Sequence, residues 1–232
     1  MGRRGHQLSG LRAGPAAPVP VIAIDGPAGS GKSTVARAVA ARLGLDHLDT
    51  GAMYRSVAFA ALRDGIGPDD APRVADLARR TTIEAGDRVL VDGADATDAI
   101  RGPAVSVAVS AVAQNPEVRA ELVRRQREWM AARDGGVMEG RDIASVVLPD
   151  ADLKVYLTAA DEERARRRAG QDGLTDPAGT AADLSRRDRL DSTRRASPLM
   201  VAEGAVVIDT TDRSVDEVIE AVLGLLAAGG RP

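Results

Sequence analysis

Eight consecutive residues, Gly26-Pro27-Ala28-Gly29-Ser30-Gly31-Lys32-Ser33, constrain this chain more than any other part of it. They fit G-x-x-x-x-G-K-[ST], a pattern with physical meaning only where a strand leads in and a helix leads out. Both contexts are present. Val21 to Asp25 is a short, β-branched apolar run closed by Gly and Pro, which predicts a buried parallel strand. Ser33 to Leu43 places Ala, Val and Leu against Arg37 and Arg42 at helical spacing. Glycines let backbone N–H groups converge on phosphate oxygens, and the helix N-terminus adds its dipole. Gly26 to Thr34 is therefore read as an ATP-binding segment, with Lys32 bridging the β- and γ-phosphates and Ser33 ligating Mg²⁺.

Two later segments repeat the strand–helix order. Leu153 to Leu157 leads to a helix over Asp161 to Ala169, and Val206 to Asp209 leads to one over Ser214 to Leu226, where Ser214 and Glu217 suit a capping box. Alternating strands and helices imply an α/β, three-layer P-loop fold with a central parallel sheet and helices on both faces. The middle departs from this rhythm. Thr81 to Gly93 reads as a hairpin, so a small α+β insertion is expected at about 65–105. Asn115 and Pro116 then read as the N-cap and first residue of a long helix through Met130. Asp172 to Thr180, rich in Gly, Pro, Thr and Asp, is expected to be a mobile connection between two helices. Residues 1–19 have no apolar periodicity and are expected to be a disordered extension, a transit peptide being the alternative; the domain itself is expected over 20–228.

At 232 residues, 44% of them hydrophobic, the chain can bury one full core. Its net charge of −3 argues against broad nucleic-acid binding, so no nucleic-acid partner is expected. No apolar run reaches membrane-spanning length, since even the C-terminal stretch Val215 to Ala228 is broken by Asp216, Glu217 and Glu220, so the chain is read as soluble with no membrane partner; a cytoplasmic location is expected as well. The absence of cysteine excludes disulfides, thiolate metal sites and a cysteine nucleophile. Lys32 is one of only two lysines, which draws attention to its position.

A phosphate loop alone leaves kinases, GTPase switches and ATP-driven machines open. The sole asparagine, Asn115, precedes Pro116, so a guanine-reading N-K-x-D motif is impossible. Leu153 to Leu157 lacks the trailing Asp-Glu of a motor ATPase strand. A small-molecule kinase is favoured. Acceptor-side candidates then come from three places. Asp49 to Arg55 sets a hydroxyl, a phenol and a guanidinium at a helix start, where Thr50 can cap and Arg55 can pair with an anion. Arg141 and Asp142 follow the apolar segment Gly136 to Met138, hence emerge at the C-terminal edge of a strand where α/β sheets bind ligands. Arg187, Asp191 and Arg194 fall on one helical face.

With these residues assembled, the chain resembles a bacterial cytidylate kinase from Val21 to about Leu226. The resemblance rests on Ile-Asp-Gly-Pro-Ala-Gly-Ser-Gly-Lys-Ser, Leu-Asp-Thr-Gly-Ala-Met-Tyr-Arg, Glu-Gly-Arg-Asp-Ile, Arg-Asp-Arg-Leu-Asp-Ser-Thr-Arg with Ser-Pro-Leu after it, and Val-Val-Ile-Asp-Thr-Thr. It implies transfer of the γ-phosphoryl group of ATP to CMP or dCMP by a monomer, with Lys32, Arg141 and Arg194 as catalytic groups. It also implies that the insertion at 65–105 binds the nucleoside monophosphate and that 160–185 forms a short lid. Arg55, Arg141 and Arg194 would hold the acceptor phosphate beside Thr50 and Tyr54; Ser110, Arg119 and Asp142 would read cytosine; Arg187 and Asp191 would reach the ribose. The family often has serine where Thr50 stands, and the hydroxyl is kept.

Chemistry agrees with this reading. A carboxylate such as Asp142 can accept from the cytosine N4 donor, whereas the uracil carbonyl there would be repelled. A phosphate acceptor is already ionised and needs no general base. Neither histidine is placed to be one: His6 lies in the tail, and His47 reads as structural or surface. Arg164, Arg167 and Arg168 share one side of a helix and are read as lid residues closing over ATP, or else as a solvated helix end matched to its dipole.

Overall fold

The computed structural model describes residues 19–172, 177–194 and 197–229. The expected extension therefore lies, but for Val19, outside the described residues, as do 173–176 of the expected mobile connection.

Five parallel strands form the central sheet: β1 (Val21–Asp25), β2 (His47–Asp49), β6 (Gly136–Gly140), β7 (Leu153–Thr158) and β8 (Val206–Asp209), in the spatial order β2-β6-β1-β7-β8. Between β2 and β6 the chain makes three short antiparallel strands, β3 (Ile83–Ala85), β4 (Val89–Val91) and β5 (Ala94–Asp95), where the sequence predicts its hairpin. Helices α1 (Lys32–Leu43), α2 (Thr50–Arg63), α3 (Ala71–Arg80), α4 (Pro103–Gln114), α5 (Pro116–Ala131), α6 (Asp161–Asp172), α7 (Pro177–Ser192) and α8 (Val215–Ala227) complete the fold.

β1 shows why two helix layers are needed. Successive side chains of a strand point to opposite faces, and both faces of β1 are apolar. Ile22 and Ile24, fully buried, pack with Val35, Val39, Val218 and Val222 of α1 and α8. Ala23 faces the other way, into a second core with Leu48 of β2 and with Val57, Val109, Val118 and Leu122, which α2, α4 and α5 supply. A charged residue at 22 or 24 would have no solvated side to turn to.

Flush register sets the site. Val21 to Asp25 pair with Gly136 to Gly140 on one side, and Ile22 to Asp25 with Leu153 to Tyr156 on the other, so β6 and β1 finish together while β7 runs two residues further to Thr158. Gly26 turns the chain off β1 at φ 147, and a Cβ there would sit 2.0 Å from the Leu157 carbonyl oxygen, which excludes any larger residue.

Local side-chain caps fix the starts of α2, α3, α5 and α8. Asn115 accepts from the Glu117 N–H at 3.1 Å, and Ser214 and Glu217 form a reciprocal capping box, both as expected. At α2 the cap is Asp49, whose carboxylate accepts from the Ala52 N–H at 3.0 Å. Thr50, the expected cap, is instead the first helical residue, because its hydroxyl is drawn to the Glu139 carbonyl on the adjacent β6 at 2.7 Å. The expected loop from Asp172 to Thr180 is shorter than foreseen: α6 runs on to Asp172 and α7 starts at Pro177, a residue suited to the first helical position.

Candidate active site

Gly31, in a left-handed conformation, precedes α1 with no side-chain cap, so the first N–H groups of the helix have no capping side chain where Gly31 to Thr34 line the cleft. Lys32 is buried, its ammonium donating to the Pro27 carbonyl at 2.6 Å with Ser30 Oγ 3.5 Å away. Burial and the nearby Arg141 charge push its pKa down to about 7. The Ser33 hydroxyl donates to Glu139 Oε2 at 2.9 Å, while Glu139 Oε1 has no hydrogen-bond partner and lies 3.3 Å from His47 Nε2.

Opposite the loop stand the acceptor-side candidates. Arg55 pairs with Asp49 at 2.7 Å; burial opposes the Asp49 charge, but Arg55 and the Ala52 N–H hold its carboxyl below the usual range. Arg119 on α5 is buried against Asp142 in a close ion pair and lies over the Tyr54 ring, 5.5 Å from its centroid. Burial pushes the Tyr54 hydroxyl up to about 12, so it stays protonated. Arg141 donates to Asp191 at 2.9 Å and to the Gly26 carbonyl at 3.0 Å, while Arg194 lies 3.3 Å from the other Asp191 oxygen. Burial opposes the Asp191 charge too, and Arg141 and Arg194 outweigh it. Arg187 has the reverse balance: burial, then repulsion from Arg141 and Arg168, brings it down to about 10.

The cationic side of this cleft is under-compensated. Buried Nε groups of Arg55, Arg119 and Arg194 have no acceptor, and each cation lowered in pKa is lowered partly by another cation. An anion entering here would both accept from orphaned donors and relieve that repulsion.

One cleft gathers almost every residue singled out from the sequence. Ala28, Gly29 and Gly31 to Thr34 line its floor, and Thr50, Tyr54, Arg55, Ser110, Arg119, Arg141, Asp142, Arg187, Asp191 and Arg194 line its walls. Gly26, Pro27 and Ser30 lie behind the lining as buried supports of the loop. The three α6 arginines read as lid residues go to different places. Arg164 donates to the Ala28 carbonyl at 3.0 Å and forms a close pair with Asp188, which in turn accepts the Ala28 N–H at 3.2 Å. Gly29 turns here at φ 76, with room for no Cβ beneath the Arg164 carbonyl. Arg167 reaches Thr210, donating to its hydroxyl at 2.8 Å, and that hydroxyl lies 3.3 Å from the Ser30 carbonyl. Arg168 alone of the three lines the cleft.

Sequence reasoning missed Glu139 and Asp188. Glu139 had a signal, as a lone acid ending an apolar run; its partner Ser33 is 106 positions away and no local pattern joins them. Asp188 meets the Ala28 N–H across 160 positions, again with no local mark of the partner.

Comparison with known proteins gives a consistent picture. A family model described as cytidylate kinase matches residues 22–228. A cytidylate kinase of Pelotomaculum thermopropionicum is 48% identical over 222 residues, spanning 91% of this chain and 98% of that protein. One of Symbiobacterium thermophilum is 51% identical over 213 residues, spanning 88% and 94%. Among solved structures, a gluconokinase from Sinorhizobium meliloti 1021 matches at a TM-score of 0.50 and 17% identity over 91% of this chain and 94% of that one, a likeness of fold alone.

Proposed function

This chain belongs to the cytidylate kinase family, a nucleoside monophosphate kinase that transfers the γ-phosphoryl group of ATP to CMP or dCMP, and from that premise we propose how its residues divide the work. The observation that carries the division is the single cleft in which the phosphate loop faces a wall of arginines interleaved with Asp142 and Asp191.

The donor is held on the loop. The N–H groups at the start of α1 receive its phosphates, and Lys32 leaves the Pro27 carbonyl for the β- and γ-phosphates, regaining full charge beside them. The residues at this end fit Mg²⁺. Ser33 and Glu139 offer a hydroxyl and a carboxylate with one unpartnered buried oxygen, and Mg²⁺ is usually bound by one or two protein ligands plus substrate phosphates. When bound, the ion neutralises charge on the phosphates.

The acceptor phosphate is held by Arg55, Arg141 and Arg194, with Thr50 and Tyr54 beside it; Arg187 and Asp191 reach the ribose. Asp142, aligned by Arg119, accepts from the cytosine N4 group, and Ser110 completes that edge. No side chain has to remove a proton, because the acceptor oxygen is already ionised. Catalysis then consists of bringing two anions together in line and stabilising the charge that develops between them, the task of Lys32, Arg141 and Arg194. Residues 65–105 serve as the monophosphate-binding insertion and 160–185 as the lid, with Arg168 the lid cation already turned to the cleft. Among the described residues no helix is long and apolar enough to cross a membrane. We assign the enzyme to the cytoplasm as a monomer acting on nucleotides, with no nucleic-acid or membrane partner.

Steady-state ADP formation with CMP, dCMP, UMP and AMP tests the acceptor assignment. CMP and dCMP should give the highest kcat/KM, and Asp142→Asn should narrow their advantage over UMP. A higher kcat/KM for UMP or AMP than for CMP, or an unchanged CMP to UMP ratio in that variant, would reject it.

A further inference from the structure

Asp25 ends β1, one residue before the phosphate loop, and is 2% exposed. Its two carboxylate oxygens accept separate backbone N–H groups, from Ile143 at 2.9 Å and from Ala144 at 2.8 Å. Those donors open the single π-helical turn Ile143–Val147, which directly follows Arg141 and Asp142. A second tie runs alongside, from the Arg141 guanidinium to the Gly26 carbonyl at 3.0 Å. Thus the first two residues after Ile24 on the donor side grip the four residues from Arg141 to Ala144 on the acceptor side.

We propose that Asp25 is a positioning residue for phosphoryl transfer: by clamping the Ile143 and Ala144 N–H groups it fixes Arg141 and Asp142 relative to the phosphate loop. The proposal rests on the acceptor roles given above to Arg141 and Asp142. A neutral residue would suit this burial better if packing were the only demand, since a buried carboxylate carries a large desolvation penalty. That penalty shows in its pKa, raised to about 6 by burial, with the two N–H groups and Lys32 opposing and Asp142 adding to the rise. The charged and titratable groups facing it are Asp142 after β6, Lys32 on α1 and Tyr156, its register partner on β7. Asparagine has nearly the same shape but turns an NH₂ group toward one of the two N–H donors, so the clamp loses one bond and gains a donor–donor clash.

Asp25→Asn is the test. Expected are a CMP KM raised about tenfold or more, an ATP KM within about twofold of the parent, and a melting temperature at pH 7 equal to or above the parent's. An unchanged CMP KM would overturn the proposal. So would a loss of activity matched by a fall in melting temperature, since that is the behaviour of a residue needed only for folding. Hydrogen exchange on the unaltered protein gives an independent reading: the Ile143 and Ala144 amides should be protected as strongly as those of β1, and exchange at loop rates would also refute the clamp. Asp142→Asn, measured in parallel, separates the two levels. If that variant leaves CMP selectivity unchanged, the acceptor assignment fails on its own account whatever Asp25→Asn does.

Discussion

Replacing Lys32 by methionine should make this enzyme more stable while abolishing its chemistry. The reasoning starts from the ammonium, buried beside Arg141 with only the Pro27 carbonyl and a distant Ser30 hydroxyl as partners, its pKa brought from 10.5 to about 7. A lysine whose folded pKa is depressed is half neutral in the native state at pH 7 but fully charged in the unfolded chain. The unfolded state thus binds more protons between about pH 7 and 10.5, and stability rises with pH across that window. Each pKa unit corresponds to 1.36 kcal/mol, so the penalty at pH 7 is about 4 kcal/mol, vanishing toward pH 10.5. Lys32→Met removes it but leaves the buried Pro27 carbonyl without its donor, which costs about 2 kcal/mol. The net gain of about 2 kcal/mol converts to a melting temperature about 6 °C higher at pH 7 for a chain of this size. Thermal scans from pH 7 to 10 should show the parent approaching and then passing the variant. Activity should fall about a thousandfold or more. The companion measurement is calorimetry of ATP binding to the parent at about pH 8.5 in buffers of different ionisation enthalpy: phosphates restore the ammonium, so about one proton should be taken up per ATP. A variant that melts below the parent at pH 7, or binding without proton uptake, would refute the argument.

Two further outcomes follow from the packing. Arg119→Ala strands the buried Asp142 carboxylate and should destabilise the protein by about 3–5 kcal/mol in urea unfolding, whereas the double change Arg119→Met with Asp142→Leu should recover most of that loss while staying inactive toward CMP. Asn115→Ala removes the α5 cap and the tie from Asn115 Nδ2 to the Ala71 carbonyl at 2.8 Å; it should lower stability by about 1–2 kcal/mol with kcat/KM unchanged, as measured on folded protein.

Local chemistry made much of this legible in the sequence. The strand into Gly26, the Asn115 cap and the Ser214–Glu217 box each depend on residues within a few positions, and each formed where expected. The cap of α2 shows the limit. Asp49 and Thr50 were both eligible, and the choice was made by Glu139, which reaches Thr50 only because β6 lies beside β2. The same holds for Ser33 with Glu139 and for Asp25 with Ile143: both contacts span more than a hundred positions, and neither end carries a mark of the other. Of the acceptor wall, Ser110 and Arg119 were named through the family resemblance alone, while the rest had local signals such as the helical spacing of Arg187 and Asp191. Its arginines sit among many others in the sequence, and only folding separates those facing the cleft from Arg164 and Arg167, which turn to Ala28 and Thr210.

The sheet order β2-β6-β1-β7-β8 has a consequence for how such a chain is made. β1 leaves the ribosome well before both strands that flank it, which begin only at Gly136 and Leu153. For the synthesis of more than a hundred residues its two edges have no native partner, the kind of segment that pairs with other chains when left exposed. Misassembly through those edges is thus a hazard of the same strand that later anchors the nucleotide loop.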